Sequence, residues 1–413
     1  MAKLGLAVGT STKFSCFFFS DKSNAGSGRA TRLGWILCPA NPRCSLARRW
    51  TAAAAVEAPP RSIDMGCAPV PREQAEIVQS LNGWVAENML PLLNPVESSW
   101  QPHDFMPFSA ATPGASEEEA LSAFMDGVAA LRAGAARVPD EVLVCLVGNM
   151  VTEEALPSYQ SMGNRTEGIA DDTGASSLPW AQWIRGWTAE ENRHGDLLNR
   201  YLYLSGRVDM RQVETTVHHL LRNGMVRDAG AQEPVPQRDL RRVPGARDLR
   251  LPRAHGDQAL AKICGVIAAD EKRHEAGYTR VCAKLFELDP DGMVRALAHV
   301  MRGKVTMPGL LMSDGRDAAS GENSLFERFS AVAQSAGVYT ARDYGDLVEH
   351  FVRRWRVAEL AGLSGEGRRA QEYVCGLPPK IRRMEELAHQ RAARSELRPA
   401  RFSWIFDRHV MVG

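Results

Sequence analysis

An all-α fold, a helical bundle closed around a buried polar centre, is what this sequence predicts, and three observations predict it. Residues 179–204 place Trp180, Trp183, Ile184, Trp187, Glu191, His194, Leu198 and Tyr201 on one stripe of a 3.6-residue helix. Residues 260–285 repeat the spacing with Leu260, Ile263, Ile267, Glu271, His274, Tyr278 and Val281. The segments that lead into them, from Pro71 to about residue 135, read as helix with no strand-type alternation.

The two stripes carry chemistry. An ionised Glu buried without a partner costs several kcal/mol, so each glutamate needs a countercharge, and a neutral His three residues on sets a lone pair beside it. A single Glu-x-x-His is ordinarily a solvated surface pair. Two of them, each on an apolar stripe, are the pattern of a carboxylate-bridged di-iron or di-manganese bundle, in which each of two further helices adds one Glu. Oxygen and nitrogen donors with open positions suit iron that meets dioxygen better than structural zinc.

With 413 residues, 44% hydrophobic and 24% charged, the chain can bury a sizeable core. A formal net charge of +1 gives no global field, which argues against nucleic-acid binding. No apolar run is long enough to span a bilayer. The eight cysteines are scattered without a Cys-x-x-Cys spacing, and several sit on apolar faces, so a reducing compartment fits.

Residues 1–60 differ from the rest. They carry Lys3, Lys13, Lys22, Arg29, Arg32, Arg43, Arg48 and Arg49 against Asp21 and Glu57, among Ser, Thr, Ala and Gly. That composition predicts an organelle transit peptide and linker; residues 61–413 are then one domain.

In chain order, 73–90 is an amphipathic helix and 92–108 a proline-interrupted connection holding Trp100. Ser116 opens a helix with Glu119 at capping-box spacing, running to about Ala135. Residues 140–162 form the next, with Leu143, Leu146, Val147 and Met150 as its stripe and a kink expected at Pro157. Its stripe extends to Glu153 or Glu154, and periodicity does not choose between them. Residues 289–300, 326–336 and 343–360 read as helices, and Pro378 and Pro379 precede an Arg-rich helix at 380–394. Its charges read as a solvated face, with docking of an acidic protein as the functional alternative. Phe402 to Phe406 is expected to pin the C-terminus.

The segments VTEEALPSYQSM, DDTGAS, WTAEENRHGDLLNRYLYLSGRVDMRQ, ICGVIAADEKRHE, FELDPDGMV, MPGLLMSDG, FSAVAQSAGVYTARDY, YVCGLPPKIRR and FSWIFDR closely resemble the plant plastid stearoyl-acyl carrier protein desaturases. The resemblance implies a homodimeric, ferritin-like di-iron enzyme of the chloroplast stroma. Such an enzyme uses dioxygen and reduced ferredoxin to place a cis double bond in a saturated acyl chain on acyl carrier protein, a step of fatty acid biosynthesis. Carried over by position, it implies Fe2+, two per subunit, held by Glu153, Glu191, His194, Glu271 and His274, with Glu191 and Glu271 bridging and Glu190 not ligating. It implies no catalytic residue beyond the metal ligands. It matches Asp270 to a residue that hydrogen-bonds a ligating His, with Trp100 beside it on an electron path. Met162, Gly163 and Arg165 fall near the acyl channel, where relatives place a leucine and a small residue after the methionine.

One interval departs from the family. Between residues 225 and 255 relatives carry Phe-Gln-Glu-Arg-Ala-Thr, whose Glu is a ligand of the second iron. Here residues 226–254 hold Pro234, Pro236, Pro244, Pro252, Gly245 and six arginines from Arg238 to Arg253. An interior proline costs a helix roughly 3 kcal/mol, and no apolar stripe survives, so a core helix is not expected there. Glu233, Asp239 and Asp248 are the candidate carboxylates, none in a matching context. Read one base out of frame in GC-rich codons, the family's Phe-Gln-Glu-Arg-Ala-Thr-Phe-Val-Ser-His-Gly becomes the stretch from Val243 to Arg253, so a local frameshift or misplaced splice junction is expected. The alternative function is then a catalytically impaired homologue.

Overall fold

The computed structural model describes residues 72–107, 116–164, 166, 168–169, 171–223, 255–302, 308–316, 324–392 and 396–412. The leader at 1–60, the segment 226–254 and Arg165 lie outside the described residues. What is described is almost wholly helical: α1 Arg72–Ser80, α2 Asn82–Asn88, α3 Glu117–Ala135, α4 Asp140–Glu153, α5 Leu156–Asn164, α6 Pro179–Ser205, α7 Met210–Asn223 and α8 Gln258–Leu288 come first. Then follow α9 Pro290–Met301, α10 Leu325–Ser335, α11 Ala341–Arg354, α12 Gly365–Cys375, α13 Leu377–Ala392 and a hairpin of β1 Arg398–Phe402 and β2 Arg408–Val412. No described helix is long and apolar enough to cross a membrane.

The long helices begin and end where local chemistry says they should. Ser116 and Glu119 make the expected reciprocal cap of α3. Pro179 opens α6, where its missing N–H costs nothing, and Gly206 closes it with φ 66°. Asp257 caps α8 by accepting from Leu260 N at 2.8 Å, and its other oxygen accepts the Tyr201 hydroxyl at 2.7 Å.

Several expected boundaries are corrected. The helix read over 73–90 is two, interrupted at Leu81. The one read over 140–162 is broken at Glu154 and Ala155, so that Pro157 falls in the first turn of α5 rather than kinking a continuous helix. That read over 343–360 stops at Arg354, because Arg356 turns to positive φ (49°). The Arg-rich helix starts earlier, with both prolines inside the first turn of α13, and α12 and the C-terminal hairpin are elements that the sequence reading did not include. The hairpin is pinned by buried Phe402, Trp404 and Ile405, with Trp404 Nε1 donating to Thr216 Oγ1 at 2.9 Å. Asp140 accepts from both Arg207 and Arg408, tying the hairpin to α4.

The apolar interior falls into two clusters along α6 and α8. One takes Leu197, Leu198, Tyr201 and Leu202 of α6 with Leu260, Ile263 and Ile267 of α8, together with α4, α10 and the hairpin. The other takes Trp180, Trp183, Ile184 and Trp187 with Tyr278, Val281 and Leu285, together with α2, α9 and α12. The N-terminal half of one helix therefore faces the C-terminal half of the other. Glu190, Glu191, Arg193 and His194 with Asp270, Glu271 and His274 are left as a buried polar layer between the clusters.

Close packing rests on two glycines. A β-carbon on Gly277 would stand 2.9 Å from the Trp183 ring, and one on Gly148 would overlap the Phe329 ring. Because overpacking of this kind costs about 1–3 kcal/mol or more, Gly148→Ala is expected to lower the thermal midpoint by several degrees, as circular dichroism would show.

Candidate metal centre

Each long helix brings the same five-residue word to the polar layer: an acid, a Glu, any residue, an Arg and a His. On α6 it is Glu190, Glu191, Asn192, Arg193 and His194; on α8 it is Asp270, Glu271, Lys272, Arg273 and His274. Helical spacing puts Glu and His of each word on the inner face. His194 and His274 are fully buried, and Glu191 and Glu271 are 3% and 2% exposed.

The inner side chains converge. His194 Nδ1 lies 3.2 Å from Glu191 Oε2 and 3.3 Å from Glu271 Oε1, and His274 Nδ1 lies 2.9 Å from Glu191 Oε1. Glu153, at the last turn of α4, joins Glu191 and His194 in one group of ligand atoms within 4.8 Å of one another; Glu191, Glu271 and His274 form a second. Of the two glutamates that periodicity leaves open, Glu153 stands in a ligand-atom group, whereas the Glu154 carboxylate lies against Gly195.

Turned outward, the two histidines meet the partner helix's acid. His194 Nε2 is 3.3 Å from Asp270 Oδ2, and His274 Nε2 is 2.8 Å from Glu190 Oε2. A proton on Nε2 donating to these carboxylates leaves the Nδ1 lone pair of each ring aimed inward. The pairing is crossed, each helix supplying the acid for the other's imidazole. Trp100 donates from Nε1 to Asp270 at 3.1 Å and stacks on His194, rings 6.1 Å apart and 10° from parallel.

This arrangement fits a cation. Glu191 Oε1 and His274 Nδ1 face each other without aligning as a hydrogen bond, and Glu271 Oε2 has no hydrogen-bond partner, although all three atoms are buried. Lone pairs aimed at one another in low dielectric are costly until a positive charge sits between them. Carboxylates and imidazoles are the donor set that divalent iron or manganese takes.

Protons supply that charge in the metal-free protein. Burial pushes Glu271 up to about 7, helped by the Glu191 charge, and burial with the charges of Glu191 and Glu271 raises Glu153 well above the carboxylate range. Burial alone would lower His274, but hydrogen bonds to Glu190 and Glu191 outweigh it and lift it to about 9; His194 is raised in the same way, chiefly by the Glu191 charge. Glu191 goes down, because the two imidazoliums beside it outweigh its burial.

A pH dependence follows. His274 and Glu271 hold protons more tightly folded than unfolded, from ordinary values of 6.5 and 4.5, so their contribution to the metal-free fold is full below those values. It is lost as pH rises through about 7 and then about 9. Metal uptake must expel the same protons and runs the other way. We expect the thermal midpoint of the metal-free protein to fall, and its Co2+ affinity to rise, between about pH 6 and pH 9. Titration calorimetry and thermal melts across that range check both.

Of the other residues singled out from sequence, Gly163 is buried against Ile184, where a β-carbon would stand at 3.3 Å. Met162 lies in the same short helix α5. Sequence reasoning named Glu190 only as a residue that does not ligate, and left out Arg193 and Arg273. The repeated five-residue word was the signal that could have found them.

Comparison with known proteins gives one consistent result. A family model described as "Fatty acid desaturase" matches residues 73–406. Rice (Oryza sativa subsp. japonica) acyl-[acyl-carrier-protein] desaturase 4, chloroplastic, is 66% identical over 100% of both chains. Stearoyl-[acyl-carrier-protein] 9-desaturase 1, chloroplastic, of Oryza sativa subsp. indica is 48% identical over 94% of this chain and 99% of its own. The safflower (Carthamus tinctorius) stearoyl-[acyl-carrier-protein] 9-desaturase, chloroplastic, is 51% identical over 85% and 86%.

Proposed function

This chain belongs to the fatty acid desaturase family, with plant chloroplastic acyl-[acyl-carrier-protein] desaturases as its near relatives, and on that premise we propose the reaction it serves. It is a plastid acyl-acyl carrier protein desaturase. It introduces a cis double bond into a saturated acyl chain carried by that protein, in the stroma, as a homodimer, with electrons from reduced ferredoxin. The observation that carries the reading is the convergence of Glu191, His194, Glu271 and His274 in a buried layer between two apolar clusters.

Glu153, Glu191, His194, Glu271 and His274 would hold two ferrous ions, which supply the dioxygen chemistry that takes two hydrogens from the acyl chain. The protein's own part is to prepare and guard the place. Asp270 and Glu190 fix each imidazole with Nδ1 turned inward. Trp183, Trp187 and Tyr278, all buried, keep water from one side of the layer. Trp100, half-buried and bonded to Asp270, links the surface to His194 and is the route we assign to incoming electrons. Met162, Gly163 and Arg165 are assigned to the acyl slot.

A second reading, an impaired desaturase, is favoured by the carboxylate count. Among the described residues the two ligand groups share three carboxylates, Glu153, Glu191 and Glu271. Two ferrous ions bring four positive charges, and four carboxylates cancel them; three leave one uncancelled in a buried site. An assay with reduced ferredoxin, dioxygen and stearoyl-acyl carrier protein, read by mass spectrometry of the released fatty acid, tests the activity. A cis-monoene product supports the first reading. A folded, iron-poor protein that gives none supports the second.

A further inference from the structure

Arg193 and Arg273 hold the same place in the two five-residue words, yet they make different contacts. Arg193 gives Nη2 to Asp270 at 3.1 Å and Nη1 to the Trp100 carbonyl at 2.6 Å, so it serves the acid behind His194 alone. Arg273 gives Nη2 to both outer acids, to Asp270 Oδ1 at 2.7 Å and to Glu190 Oε2 at 3.1 Å. Its Nε donates to the Leu92 carbonyl at 3.0 Å. One guanidinium therefore grips the carboxylate that orients His194 and the carboxylate that orients His274.

The grip reaches a segment that crosses the outside of the layer. Over residues 90–105 the chain runs through short 3-10 turns, and it meets the network around Leu92 and again at Trp100. Asn94 N donates to Glu190 Oε1 at 2.7 Å, and Leu92 O accepts from Arg273. Trp100 donates its indole N–H to Asp270 and accepts from Arg193 through its carbonyl. Each outer acid is thus held by an arginine and by this segment, and Arg273 is common to both.

Resting on the metal centre proposed above, we propose that Arg273 is a positioning residue for both histidines. By fixing Glu190 and Asp270 against each other it holds the two imidazoles in one frame, with both Nδ1 lone pairs turned to the interior. The planar guanidinium matters, because it holds the Nη2 that meets both carboxylates at a fixed place relative to the Nε anchored on the Leu92 carbonyl, which a lysine ammonium cannot do. Arg193, which reaches Asp270 and not Glu190, governs His194 alone.

The test uses the full chain loaded with Co2+, whose paramagnetism shifts the Nε2 protons of ligating imidazoles out of the protein envelope in a proton NMR spectrum. Wild type is expected to give two such resonances in slow exchange with water, one per histidine. Arg273→Gln is expected to speed the exchange of both by about tenfold or more and to weaken Co2+ binding by about 10–100-fold. Arg193→Gln is expected to speed only one. Arg273→Lys, which keeps the charge, is expected to fall between Arg273→Gln and wild type and serves if the Gln variant does not fold. Arg273 variants that leave either resonance exchanging as in wild type overturn the proposal. If wild type takes up no Co2+, the metal centre itself is refuted, and the clasp is decided on metal-free protein labelled with 15N-histidine by the exchange of the same two protons.

Discussion

Replacing residues 226–254 with the family's own segment, the one that carries Phe-Gln-Glu-Arg-Ala-Thr, is expected to raise bound iron to about two per chain and desaturation by about two orders of magnitude or more. The reason is charge. In the described residues Glu191 belongs to both ligand groups, so three carboxylates, Glu153, Glu191 and Glu271, serve two metal positions. Leaving a buried charge without its partner costs about 3–5 kcal/mol, which converts to roughly two to three and a half decades of affinity. The fourth Glu restores the balance that four carboxylates give two divalent ions. Iron content by inductively coupled plasma spectrometry, with product formation on stearoyl-acyl carrier protein, measures the effect. A grafted protein with no more iron than the original would remove the missing ligand as the cause.

The second large effect is expected at Glu191. Glu191→Gln should lower Co2+ affinity by about a thousandfold or more, because this carboxylate belongs to both ligand groups and its two oxygens face one Nδ1 each. The amide keeps the shape and loses the charge. Glu190→Gln is the informative contrast. Its carboxylate touches His274 only from the outside, together with Asn94 N and Arg273, so the expected loss is about 10–100-fold. Equal losses for the two variants would mean that Glu190 faces the metal directly.

Much of this centre was legible before any coordinates. The stripes of residues 179–204 and 260–285 have long, unbroken helical spacing, and every residue assigned to them is buried. Periodicity works there because both helices are wrapped on their inner side by apolar neighbours. It failed at Glu153 and Glu154, since adjacent residues at a helix end differ by 100° and the helix stops between them. It also failed to join Arg273 to Glu190, 83 residues earlier in the chain. A contact across two antiparallel helices leaves no mark in local spacing, only in the repetition of a word.

The boundaries went astray for local reasons. Leu81, Glu154 and Arg356 each end a helix inside a stretch whose hydrophobic pattern continues, so the pattern could not report the break. The hairpin of β1 and β2 is too short to show alternation, and tertiary contacts hold it: Asp140 with Arg408, and Trp404 with Thr216. The C-terminal anchor expected at Phe402 to Phe406 holds through Phe402, Trp404 and Ile405, whereas Phe406 is 52% exposed.

The candidate centre depends on the two five-residue words facing each other around metal. Crystals of the full chain grown with ferrous iron under exclusion of oxygen, measured at the iron absorption edge, test it directly. The predicted result is an anomalous peak between α6 and α8, within coordination distance of His194 Nδ1, Glu191 and Glu153, with a weaker one beside His274. A folded protein that shows iron elsewhere, or none between these helices at saturating metal, would contradict it.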